Sequence, residues 1–306
     1  MLCDNYGRVI TSLRISITKR CNLNCIYCHQ EGDDFEPLRE ISPGTISRTV
    51  TAAAGFGVKK VKFSGGEPLM RSDFEDIIAM LPPLKDISAT TNGVLLARRA
   101  TSLASSGLDR VNISLPALDK ENYAKLTGSS LAFPRVLEGI SAAIDAGLTP
   151  IKLNMVLLKG INDERIEDAI HFVSGYEGNV ILQLIELMNF KNIAGYMVDI
   201  DRIEKLLESK ASCIKERQLH RRKKYFIDGV EVELVRPIDN SGFCANCNRL
   251  RLTSSGKLKP CLMRNDNLVE IGENATVWEI GEMLKRTVEK REPYYKDKLK
   301  QTICRA

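Results

Sequence analysis

The sequence contains no apolar run approaching the roughly 20 residues that cross a bilayer. Its start, residues 1–14 with Asp4, Asn5 and Arg8, lacks the charged-then-apolar order of a secretory signal. Both absences argue against a membrane or exported protein, so a cytoplasmic location is expected. Internal repeats and low-complexity linkers are missing too, which leaves no freely swinging appendage. The net charge of +5 over 306 residues is small and asks for no explanation beyond solubility. With 43% hydrophobic and 27% charged residues, the chain can bury the core of one large α/β domain carrying a smaller extension.

Cysteine, by contrast, is plentiful. Nine cysteines in a reducing compartment read as metal ligands or buried apolar residues rather than disulfides, and six of them form two tight groups.

Short β-rich runs at 13–18, 60–64, 87–91, 110–115, 151–157 and 180–186 alternate with amphipathic stretches at 43–54, 72–80, 96–105, 133–146 and 164–174. Several of the latter end at glycines such as Gly55, Gly107 and Gly147. This order predicts a parallel sheet with right-handed crossovers. Six units fall short of a closed eight-fold barrel, so an open, partial barrel is expected over residues 1–215. Residues 216–306 read as an extension. A helix at 200–209 leads to a basic, helix-like stretch at 215–224, then a hairpin at 225–235 around Asp228-Gly229 and a helix at 277–289.

The first cysteine group, Cys21-x3-Cys25-x2-Cys28, follows the first strand. Three is the informative count. Structural zinc normally takes four protein ligands, whereas a four-iron cluster held by three cysteines keeps one iron open for a small molecule. His29 adjoins Cys28 too closely to complete a tetrahedron easily. The spacing, with Tyr27 before the third cysteine, resembles the signature of radical S-adenosylmethionine (SAM) enzymes. In that family the open iron chelates SAM, and an electron from the cluster releases a 5′-deoxyadenosyl radical that abstracts hydrogen from an unactivated carbon. Ser64-Gly65-Gly66-Glu67-Pro68 resembles the family's Gly-Gly-Glu-Pro segment, which implies SAM contacts for Gly66 and Glu67. The paired glycines are expected to let backbone approach the ligand. Tyr27, Ser114 and Met188 match further SAM positions, although Met188 reads equally well as core packing.

The second group, Cys244-x2-Cys247-x13-Cys261, is also a trio. Alone it is three-quarters of a zinc site, but a fourth ligand is hard to find, since His220 lies well upstream and Cys304 near the end of the sequence. A second cluster is the better reading. Arg249 and Arg251 share one face of an extended segment and suit polyphosphate or guanine recognition. Arg14, Lys62 and Lys152 lie on barrel strands, where an inward cation demands a ligand or partner.

From about Gly7 to Arg251, and on through Cys261, the chain resembles the GTP 3′,8-cyclases of molybdenum cofactor biosynthesis, in an archaeal-like form. The likeness includes Leu13-Arg14-Ile15-Ser16, Thr90-Thr91-Asn92-Gly93, Val111-Asn112-Ile113-Ser114-Leu115, Lys152-Leu153-Asn154 and Phe243-Cys244-Ala245-Asn246-Cys247-Asn248-Arg249-Leu250-Arg251. It implies two [4Fe-4S] clusters, and GTP contacts from Arg14, Lys62, Thr90, Lys152, Arg249 and Arg251. It also implies GTP and SAM as small-molecule substrates, an external electron donor, compatibility with a homodimer, no nucleic-acid or membrane partner, and a product passed to cyclic pyranopterin monophosphate synthase. Two positions depart from many bacterial members. Gln183 replaces an arginine, and Ile303-Cys304-Arg305-Ala306 stands where those members carry a Gly-Gly tail. Another element replaces that tail, or turnover differs in detail. The rival readings are a two-cluster peptide maturase, whose auxiliary motifs usually hold more cysteines, and a zinc-containing nucleic-acid binder suggested by Lys215, Arg217, Arg221, Arg222, Lys223 and Lys224.

Overall fold

The structure, a computed structural model, describes residues 1–33, 40–217, 219–238 and 240–294. Strands β1 (Ser12–Ser16), β2 (Lys60–Ser64), β3 (Asp86–Thr91), β4 (Arg110–Ser114), β5 (Ile151–Leu157) and β6 (Val180–Glu186) pair in parallel and in sequence order. The helices are α1 (Pro43–Gly55), α2 (Phe74–Ala79), α3 (Ala100–Ser105), α4 (Lys120–Thr127), α5 (Ala132–Asp145) and α6 (Ile166–Ser174). Helix α1 shows how local sequence sets an element. Ser42 caps it by accepting from Thr45 N, Pro43 occupies the first turn, and Ile46, Thr49, Val50 and Ala53 form the buried stripe.

Helix α4 was not expected from the pattern, because only Tyr123, Leu126 and Thr127 of it are buried. Its boundaries are nonetheless conventional, with the Asp119 side chain accepting from Asn122 N and left-handed Gly128 ending the helix.

The remaining residues do not form a separate layer but lengthen the sheet at both edges. After α7 (Ile200–Lys210), strands β7 (Cys213–Glu216), β8 (Lys223–Ile227) and β9 (Val230–Val235) form an antiparallel meander that joins β6 through β9. Residue 215, the expected boundary, lies inside β7. Within the stretch at 215–224, residues 215–216 and 223–224 are therefore strand rather than helix-like. Positive φ at His220 and Arg221 breaks any helix, and the register puts Tyr225, fully buried, opposite Ile214. Asp228 and Gly229 both take positive φ, as a two-residue hairpin turn requires.

Past α8 (Ser241–Ala245), strands β10 (Arg249–Leu252), β11 (Lys257–Lys259) and β12 (Val269–Glu270) extend the opposite edge, with β10 parallel to β1; α9 (Val277–Glu289) then packs on α1. The chain thus leaves the sheet at β9, beside β6, and rejoins it at β10, beside β1.

Candidate active site

Along each barrel strand, apolar residues such as Leu13, Ile15, Val61 and Phe63 are buried, while Arg14, Lys62, Thr90, Asn112, Lys152 and Gln183 line one cavity of about 420 Å³. In a flat sheet β1 and β6 would lie about 24 Å apart, so strands sharing one cavity must curl around it. With the exception of Glu67, the residues expected to bind a cluster, SAM or GTP line this cavity: Cys21, Cys25, Cys28, Cys244, Cys247, Cys261, Tyr27, Gly66, Ser114, Met188, Arg14, Lys62, Thr90, Lys152, Arg249 and Arg251. The last four residues, Cys304 among them, lie outside the described residues.

The two trios occupy opposite ends. Cys21–Cys28 follows the C-terminal end of β1, whereas Asn248, next to Cys247, accepts from Thr11 N and Ser12 N at the other end of that strand. A five-residue strand separates them, about 15 Å. The unexpected α4 anchors the first trio, because Asn24 N and Ile26 N donate to the carbonyls of Thr127 and Leu126 at its last turn.

The Gly-Gly-Glu-Pro segment proves to be scaffold as much as ligand surface. A Cβ on Gly66 would lie 2.2 Å from Arg20 O, and Gly66 N and Glu67 N donate to Thr18 O and Arg20 O. The close approach is to the backbone entering the cysteine loop. Glu67, expected to face SAM, is fully buried and absent from the cavity wall. Its carboxylate accepts from Leu69 N (3.0 Å), Thr91 Oγ1 (2.7 Å) and Asn92 N (2.6 Å), and burial lifts it to about 6. We expect Glu67→Ala to destabilise the fold by about 3 kcal/mol or more, since three buried donors lose their acceptor. Urea unfolding reads this directly, and an unchanged midpoint would contradict the scaffold role.

Between the trios, the register sets Arg251, Arg14 and Lys62 side by side on β10, β1 and β2. Adjacent like charges repel unless an anion intervenes. Glu31, three residues past Cys28 and missed by sequence reasoning, is that anion for two of them, accepting from Arg14 at 2.7 Å and Arg251 at 2.6 Å. Burial pushes Glu31 up, but Arg14 and Arg251 outweigh it and hold the carboxyl at about 2. His29 shapes this turn, its Nδ1 accepting from Glu31 N at 3.1 Å. Across the cavity, fully buried Glu233 accepts from Lys152 (2.6 Å), Arg217 (2.6 Å) and Gln183 (2.7 Å). Nothing local in the sequence marks it.

Lys62 and Arg249 have no acidic partner among the described residues. Burial lowers both, Lys62 well below its ordinary value with Arg110 and Arg14 adding to the effect, and Arg249 to about 9 with help from Arg14 and Arg251. Burial likewise lowers Lys152 to about 8, partly offset by Glu233. Such a cluster is costly unless an anion enters.

Most of the basic residues at 215–224 are paired with acids, while Lys215 is exposed and lies over the Phe226 ring. Arg221 pairs with Glu216, Lys223 with Glu204 and Glu208, Lys224 with Glu231, and Arg217 with Glu233.

The donor set of each trio, three thiols, is the kind that an iron–sulfur cluster takes. Among the described residues no three His, Cys, Asp or Glu side chains are placed to hold a single ion. A four-iron cluster instead takes each thiolate on a separate iron. Burial raises Cys25 to about 12, and a coordinating metal would deprotonate that thiol outright. Burial also acts to raise Cys247, but Arg291, Arg249 and Arg8 outweigh it and lower that thiol.

The sequence profile of the radical SAM superfamily matches residues 15–173, and the profile described as Molybdenum Cofactor Synthesis C matches residues 180–297. A probable GTP 3′,8-cyclase of Methanosarcina acetivorans is 56% identical over 301 residues, covering 96% of this chain and 90% of the relative. The probable GTP 3′,8-cyclase of Archaeoglobus fulgidus is 46% identical over 299 residues, covering 97% and 100%. The chain belongs to the radical SAM superfamily and, within it, to the family of these cyclases. Radical SAM membership brings SAM and an iron–sulfur cluster with it.

Solved structures share the fold. Native anSMEcpe with bound AdoMet aligns with a TM-score of 0.66 at 18% identity, covering 90% of this chain and 81% of that one. Streptococcus suis SuiB bound to S-adenosylmethionine aligns with a TM-score of 0.63 at 16% identity, covering 84% of this chain but only 61% of SuiB.

Proposed function

We propose that the chain converts GTP to (8S)-3′,8-cyclo-7,8-dihydroguanosine 5′-triphosphate, the first step of molybdenum cofactor biosynthesis. One observation carries this reading: two cysteine trios flank a single cavity in which half-buried Lys62 and Arg249 lack any anionic partner among the described residues. A polyphosphate supplies the missing charge.

Two [4Fe-4S] clusters are proposed, one on Cys21, Cys25 and Cys28 and one on Cys244, Cys247 and Cys261. The first, when bound, supplies the electron that splits SAM into methionine and a 5′-deoxyadenosyl radical. Tyr27, Gly66, Ser114 and Met188 hold SAM near the first trio. Arg14, Lys62, Thr90, Lys152, Arg249 and Arg251 hold GTP between the trios, with the guanine toward the second. The radical takes H3′ and leaves as 5′-deoxyadenosine, the C3′ radical bonds to C8, and one electron and one proton complete the product. Fixing C3′ against C8 supplies the proximity that this ring closure needs. An external donor provides the electrons, the working unit is a homodimer, and the product passes to cyclic pyranopterin monophosphate synthase.

Lys152 at about 8 loses its charge as pH rises, whereas a guanidinium such as that of Arg249 stays charged. The KM for GTP is therefore expected to increase about tenfold from about pH 7 to about pH 9, the worth of one charge-assisted hydrogen bond. A KM that is flat or falling over this range would oppose the assigned roles. The activity itself is tested by anaerobic incubation of the reconstituted enzyme with SAM, dithionite and GTP. GTP-dependent 5′-deoxyadenosine with an equal amount of cyclised nucleotide is expected, and its absence overturns the proposal.

A further inference from the structure

The two ends of the described chain meet behind the second cysteine trio. Asp4 is buried, and its Oδ1 accepts from Tyr6 N and Arg8 N, each at 3.0 Å. Its Oδ2 accepts from Arg8 Nε and from Arg291 Nη1, each at 2.7 Å. Arg291 follows α9 and is 2% exposed; Arg8 is 7% exposed. Each arginine spends another N–H on a cysteine of the trio: Arg8 Nη1 donates to Cys244 O at 3.0 Å, and Arg291 Nη2 donates to Cys247 O. Arg8 Nη2 and Arg291 Nε remain buried donors without a partner, and both arginines line the cavity beside the trio.

Two guanidiniums and one carboxylate leave one net positive charge there. Burying that charge is expensive, and apolar residues would close the chain ends more cheaply. A permanent cation in a low-dielectric wall is well suited to act on a neighbouring group whose charge changes.

We propose that Arg8 and Arg291, clamped by Asp4, form a cationic clasp that fixes the Cys244–Cys247 loop and raises the reduction potential of the cluster held there. The inference rests on the two-cluster reading. A reduced cluster carries one more negative charge than an oxidised one, so the clasp favours the reduced form. Charge and hydrogen bonding around the ligands are among the levers that set such potentials. These are positioning residues; neither needs to touch substrate.

The test uses reconstituted full-length protein with Cys21, Cys25 and Cys28 changed to alanine, so that only the second cluster contributes. Iron content comes first, and a protein without iron in this background refutes the two-cluster reading rather than the clasp alone. The midpoint potential is then measured by EPR-monitored potentiometry in three forms: unchanged clasp, Arg291→Gln and Asp4→Asn. Arg291→Gln removes a positive charge and should lower the potential, shifting the redox equilibrium about tenfold, or 59 mV for one electron. Asp4→Asn removes a negative charge and should raise it. Both substitutions disturb the same buried network, so a purely structural role would move the potential in one direction or leave it alone. Either of those results overturns the proposal. Arg291→Lys, which keeps the charge, should recover most of the potential lost in Arg291→Gln and covers the case in which glutamine prevents cluster assembly.

Discussion

Replacing Cys247 by alanine should abolish cyclisation of GTP while SAM is still cleaved. The two trios lie a strand length apart at opposite ends of the cavity, so loss of a thiolate at the N-terminal end of β10 leaves the first trio and its α4 anchor intact. Slow release of 5′-deoxyadenosine without cyclised product is expected, together with a fall in iron from about eight to about four per chain. Cys25→Ala should stop both reactions, because the radical itself is no longer made. Chromatography of 5′-deoxyadenosine and nucleotide products, paired with an iron count, separates these outcomes. Coupled turnover in Cys247→Ala at half the iron would mean that the second trio is not part of the chemistry.

Arg251→Ala should lower kcat/KM for GTP by about 10² to 10³-fold, the range for removing one partner from a buried charge pair. Arg251 shares Glu31 with Arg14, so its loss removes a cation from the row on β10, β1 and β2 and leaves Glu31 dependent on Arg14 alone. Part of any lost stability should return on adding Glu31→Gln, which removes the stranded charge, whereas turnover should not return. Cleavage of SAM without coupling should persist, because Arg251 belongs neither to the first trio nor to the residues assigned to SAM. Steady-state kinetics with GTP varied, set against uncoupled 5′-deoxyadenosine release, checks both parts. A kcat/KM within about threefold of the parent would remove Arg251 from the substrate site.

The barrel was legible because its signals are local: period-two runs for six strands, stripes such as Ile46, Val50 and Ala53 for helices, and two cysteine spacings that each need only one loop. The acids that hold the cations were not legible. Glu233 meets Lys152 from 81 residues away and Glu31 meets Arg251 from 220 residues away, and no periodicity encodes such encounters. Helix α4 escaped because its polar face outweighs its few buried residues, even though Asp119 and Gly128 mark its ends. Glu67 was misjudged for a related reason. A motif says that a residue type is required, but only the structure reveals that the carboxylate is consumed by Leu69, Thr91 and Asn92. Likewise the basic run at 215–224 reads as a surface in sequence, while its partners Glu204, Glu208, Glu216, Glu231 and Glu233 are scattered over neighbouring elements.

The most direct measurement is hydrogen transfer from GTP deuterated at C3′ of the ribose. The reconstituted enzyme, supplied with SAM, reductant and this substrate, should yield 5′-deoxyadenosine carrying one deuterium, alongside a cyclised triphosphate that has lost it. Unlabelled 5′-deoxyadenosine formed together with cyclised product would contradict abstraction at C3′, and with it the geometry in which the cations of β10, β1 and β2 hold GTP between the two trios.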